Sequence, residues 1–79
     1  MTNKVLNVIS DFVGDNVTPQ MKVKGDTYLD SPDCTELATI LEAEFKIKPS
    51  WSEWDDLFSN PETTMNDVAN FVERKISEL

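Results

Sequence analysis

Histidine is absent from this chain, and cysteine occurs once, at Cys34. A lone thiol without imidazole partners excludes the usual structural zinc sets and any internal disulfide. It suits a reducing compartment. No phosphate-binding glycine loop, acid–base pair or nucleophile–base arrangement can be read, so neither a catalytic residue nor a metal ligand is assigned. Two glycines are too few for an all-β fold that turns tightly many times. Apolar runs stay far short of the ~20 residues of a membrane span, and the opening Met1-Thr2-Asn3-Lys4 has no signal-peptide pattern. A soluble cytoplasmic protein that does not enter membranes is the expectation. Basic residues are scarce as well: seven against fifteen acidic ones, a net charge of −8. Such a field repels nucleic acid and anionic surfaces and attracts basic protein patches.

What remains is a 79-residue chain, 39% hydrophobic, with four Phe, two Trp and one Tyr as bulky core material. This length fits one domain, residues 1–79, with no linker or internal repeat. Four helical segments follow from the apolar spacing. The first runs from about Lys4 to Val13, with Val5, Val8, Ile9 and Phe12 on one face, and Gly14 is a natural stop. From Asp15 to Asp30 the turn formers Asn16, Thr18-Pro19 and Gly25-Asp26 predict a long loop, pinned by Val17, Met21, Val23, Tyr28 and Leu29. A loop of that length in a small domain is functional or packs as an ordered unit.

Ser31-Pro32-Asp33 opens the second helix: a serine suited to the N-cap, a proline to the first helical position, and an acid near the positive end of the dipole. Cys34, Leu37, Ala38, Leu41 and Phe45 recur along its inner face. Ser50-Trp51-Ser52-Glu53 is a capping-box pattern for a short third helix, whose apolar side is Trp51, Trp54, Leu57 and Phe58 and which ends at Asn60-Pro61. The last helix starts near Thr63-Thr64 and carries a stripe through Met65, Val68, Ala69, Val72, Ile76 and Leu79. The expected fold class is all-α, a small four-helix bundle with a long loop after the first helix and a short third helix.

Chemistry concentrates at the start of the second helix. Asp26, Asp30 and Asp33 are spaced wrongly for an EF-hand, because Ser31 holds the sixth position where that loop needs glycine. Cys34 reads as a small apolar residue of the helix, and Trp51 and Trp54 as core. The two tryptophans can also help to shape a groove between the second and third helices.

The run Asp30-Ser31-Pro32-Asp33-Cys34-Thr35-Glu36-Leu37, continuing to Leu41-Glu42-Ala43-Glu44-Phe45, resembles the signature of acyl carrier proteins. Asp30, Ser31, Asp33, Glu36, Leu37, Leu41, Glu42, Glu44 and Phe45 match by position. Thr63 to Val72 is similar to the family's last helix. Pro32 in place of leucine, Tyr28-Leu29 in place of Leu-Gly, Thr39 in place of a bulky apolar residue, and the longer 50–62 stretch mark a divergent or specialised member. The resemblance implies a four-helix fold of that type and a non-enzymatic carrier. It implies a 4'-phosphopantetheine arm on Ser31, transferred from coenzyme A by a phosphopantetheinyl transferase and holding acyl groups as thioesters for fatty-acid or polyketide biosynthesis. Partner enzymes would read Asp30, Asp33, Glu36, Glu42 and Glu44 through basic patches, with the carrier a monomer. Between Asp26 and Asp67 eleven acidic residues face only Lys46 and Lys48. An alternative stays open: Ser31 as a plain helix cap in an unmodified acidic protein-interaction module.

Overall fold

The computed structural model describes residues 2–79 and contains four helices: α1 (Thr2–Val13), α2 (Ser31–Phe45), α3 (Trp51–Ser59) and α4 (Met65–Ser77). Among the described residues there is no strand, only an isolated antiparallel bridge between Lys22 and Thr64. The expected all-α chain of four helices, with a long loop and a short third helix, is what forms. No helix is long and apolar enough to cross a membrane among the described residues.

One buried cluster draws from every helix. Val5 and Ile9 of α1, Leu37 and Leu41 of α2, Trp54 of α3 and Met65, Val68 and Val72 of α4 are all essentially inaccessible. Within it Trp54 stacks on Phe58, at 5.7 Å between ring centroids, and tilts against Phe71 of α4 at 4.9 Å. These are favourable offset and tilted geometries. The indole Nε1–H of Trp54 donates to Glu42 Oε2 at 2.9 Å, so a buried donor is satisfied by a carboxylate of α2. Lys75 Nζ donates to Glu53 Oε1 at 2.6 Å and ties α4 to α3.

The helix ends explain the loop. Gly14, at φ 85°, stops α1 in a conformation that glycine adopts at no steric cost. At the start of α4 four N–H groups lack helical partners. The loop carbonyls of Met21 and Pro19 accept from Met65 (2.8 Å) and Asn66 (2.9 Å). Thr64 and Asp67 satisfy the remaining two reciprocally. Val23 N–H donates to Thr63 C=O at 3.0 Å. The segment from residue 15 to 30 is therefore an ordered unit that caps α4.

Three expectations are corrected. Tyr28 does not pack: it is 65% exposed and anchors the loop through its hydroxyl, which donates to Val13 C=O at 3.0 Å. Leu79 lies past the end of α4 and is 81% exposed, not part of the stripe. Trp51 is 54% exposed. It sits in the first turn of α3, on the rim of the cleft described next.

Candidate functional site: the Ser31 cleft

Ser31 is the first helical residue of α2, not its N-cap. Asp30 is the cap. Its Oδ1 accepts from Asp33 N–H, and Asp33 Oδ2 accepts from Asp30 N–H, both at 3.3 Å. The register has a physical reason. With Asp30 as cap the third helical residue is Asp33, whose carboxylate reaches back to close the reciprocal box. A Ser31 cap would put Cys34 there, which cannot. Pro32 consequently occupies the second helical position rather than the first, still among positions whose N–H lacks a helical acceptor.

This register frees the serine. Ser31 is exposed, and its hydroxyl makes no hydrogen bond among the described residues, while its carbonyl accepts from Thr35 Oγ1 at 3.1 Å. The helix terminus itself has few N–H groups left for an anion. Pro32 has none, Asp33's is held by Asp30, and Cys34 N–H donates to Asp30 C=O at 2.9 Å.

A cleft of about 110 Å³ opens beside the serine, lined by Lys24 from the loop, Ser31, Cys34 and Thr35 from α2, and Trp51, Asp55, Phe58 and Ser59 from α3. Its lining is a mixture: Cys34 and Phe58 are buried, whereas Ser31, Thr35, Trp51, Asp55 and Ser59 are exposed. Lys24 and Asp55 bring opposite charges to it. Burial pushes the Cys34 thiol above its ordinary value, and the Lys24 ammonium pulls it partly back. Cys34 is only 2% exposed. A protonated, enclosed thiol is a poor nucleophile, which agrees with its reading as a small apolar residue.

No protein-family model matches this chain. No curated protein is significantly similar to it either.

The expected contact residues divide into two groups. Asp30, Asp33 and Glu36 gather at the Ser31 end of α2, and Glu44 lies two turns beyond Glu36; Asp30, Glu36 and Glu44 are exposed, Asp33 half-buried. Glu42 is half-buried and engaged with the Trp54 indole, so its carboxylate already serves the α2–α3 contact. The sequence reading missed Lys24. Six residues of irregular chain lie between it and Ser31, and the loop's attachment to α4 brings it to the cleft. Periodicity carries no signal for such a placement. A larger hollow of about 700 Å³ lies between the end of α1 and the loop, lined by Val13, Met21, Asp26 and Tyr28 among others. None of the expected site residues borders it.

Among the described residues no group of three or more Cys, Asp or Glu side chains is arranged to hold a metal ion.

Proposed function

We propose that the protein is a carrier of the acyl-carrier type. Ser31 accepts a 4'-phosphopantetheine arm, and the chain presents the attached acyl group to partner enzymes. One observation carries this reading: the Ser31 hydroxyl is exposed and, among the described residues, free of hydrogen bonds at the first position of α2, because Asp30 has taken over the capping. A serine needed as a cap would have to give up that bond to be modified. This one has none to lose.

The residues around Ser31 fit the group. Its phosphodiester would carry negative charge beside the Lys24 ammonium, which shares the cleft and makes no ion pair among the described residues. That cation, opposed by Asp55 on the same lining, offers positive charge where the helix terminus has few free N–H groups. In the transfer, Ser31 Oγ bonds to the phosphorus bearing the pantetheine unit. The phosphoanhydride of coenzyme A breaks, the nucleotide leaves, and the hydroxyl proton passes to a base of the transferase. When attached, the arm supplies a thiol that holds acyl groups as thioesters. The chain needs no base or oxyanion donor of its own, since partner enzymes supply them.

Asp30, Asp33, Glu36 and Glu44 form the acidic side that such partners meet. Complementary charge raises the encounter rate and selects among partners more than it adds affinity. With Glu42 committed to Trp54, its replacement acts on the α2–α3 contact as well as on docking.

The test is intact mass after incubation with coenzyme A, magnesium and a broad-specificity phosphopantetheinyl transferase. The chain gains one arm, and the Ser31→Ala variant gains none. No gain with several transferases, or a gain that survives Ser31→Ala, sinks the carrier reading and leaves the unmodified acidic interaction module.

A further inference from the structure

We infer that the cargo is a short, polar acyl group that stays outside the bundle, not a long alkyl chain buried between α2 and α3. This rests on the carrier reading and concerns the same site. Three observations lead to it.

The cleft next to Ser31 holds about 110 Å³. Pockets that bury most of a ligand's surface run to roughly 300–1,000 Å³. An alkyl chain is stabilised only in proportion to the apolar area it removes from water, and this cleft removes little. Its rim is also largely polar: Lys24, Thr35, Asp55 and Ser59 surround the opening with Ser31 itself, and Trp51 is the apolar side chain among them.

Deeper entry is closed by packing. Below the cleft lie Cys34, Leu37 and Leu41 of α2 and Trp54 and Phe58 of α3, all buried in the one core cluster. Trp54 fills the seam with the largest side chain available. Its ring is held from two sides by Phe58 and Phe71.

The seam is also latched. The bond from Trp54 Nε1–H to Glu42 Oε2 runs from α3 to α2. Parting the helices to admit a chain would break it, leaving a buried donor without an acceptor and a half-buried carboxylate without its donor. It would also separate Trp54 from its ring partners. No buried side-chain polar atom lacks a partner as the protein stands, among the described residues. The closed seam is therefore the satisfied state. A long chain left outside would expose its apolar length to water, so the cargo that suits this carrier is one that water tolerates.

The experiment loads the full chain with acetyl-, 3-hydroxybutyryl- and octanoyl-phosphopantetheine from the corresponding coenzyme A thioesters. Intact mass confirms each loading. Thioester loss to hydroxylamine and the indole N–H resonances of the nitrogen-15-labelled protein are then followed. All three thioesters are expected to be lost at rates within about threefold of one another, with the Trp54 indole resonance unmoved. Octanoyl protection beyond that margin, or a displaced Trp54 resonance in the octanoyl form alone, overturns the inference while leaving the carrier reading standing. Failure to load any arm removes the carrier reading, and this inference falls with it.

Discussion

The rim of the Ser31 cleft and the seam beneath it are built from the same two helices, yet they are opposite in character. On the rim, Ser31, Thr35, Trp51, Asp55 and Ser59 are exposed, and the Ser31 hydroxyl has no partner among the described residues. In the seam, Trp54 is 1% exposed, stacked, tilted and hydrogen-bonded. The contrast is sharpest in the two tryptophans, three residues apart on one nine-residue helix. One turn of helix separates a side chain that holds the fold from one that borders the candidate site. Stability and availability for chemistry are thus divided between neighbouring turns.

Alanine substitutions test that division most severely. Trp54→Ala removes a fully buried ring and its indole bond, and the expected cost is about 3–5 kcal/mol. A chain of this length has roughly 4–12 kcal/mol in total, so the variant is expected to be largely unfolded on warming. Trp51→Ala removes a mostly exposed side chain and is expected to change stability by no more than about 0.5 kcal/mol. Urea titrations followed by far-ultraviolet circular dichroism measure both. Comparable losses in the two variants would erase the distinction between rim and seam.

That distinction was only half legible in the sequence. Apolar spacing identified all four helices, and the capping pattern at Ser50–Glu53 located the start of α3 where the structure has it. Spacing alone could not separate Trp51 from Trp54. Trp51 and Phe58 lie within a small angle of each other around α3, but position along the axis decides which is covered. The α2 start was legible as a region and misread in register. Asp30 and Ser31 are both good caps, and the decision fell to the residue three places on, where Asp33 can close a box and Cys34 cannot. Lys24 was not legible at all, because its place depends on hydrogen bonds between the loop and α4 that no local pattern encodes. Helices are written in nearest-neighbour chemistry; a cleft assembled from a loop and two helices is written in their packing.

The register of α2 sharpens the comparison at a smaller scale, across a single peptide bond. Asp30→Ala deletes the cap acceptor for Asp33 N–H, and the expected loss is about 1 kcal/mol. Ser31→Ala deletes a hydroxyl without a partner among the described residues, and its stability is expected to remain within about 0.5 kcal/mol of the parent. Chemical denaturation of the two unmodified variants gives both values. A Ser31→Ala loss as large as that of Asp30→Ala would mean that the hydroxyl caps the helix in solution, and the best argument for its availability would disappear.

The smallest expected effect lies at the other side of the seam, where α3 is fastened to α4. The hydrogen bond from Lys75, then the one from Ser50 N–H, holds the Glu53 carboxyl below the usual carboxylate range, and the same bond with Glu53 raises Lys75. The signs follow from linkage. A depressed carboxyl contributes stability above its unfolded-state pKa and loses it as pH falls through the lower folded value. A raised ammonium contributes below its unfolded-state pKa and loses it as pH rises through the higher folded value. The Glu53–Lys75 contribution is therefore present across neutral pH and fades at both extremes. Glu53→Gln keeps an oxygen for Ser50 N–H and removes the charge, so its urea midpoint is expected to lie slightly below the parent's at neutral pH. The two should converge in acid, once Glu53 of the parent is protonated. A difference that persisted unchanged into acid would show that the Glu53 charge is not its source, and α3 would then depend on Trp54 and its ring partners for its attachment to α4.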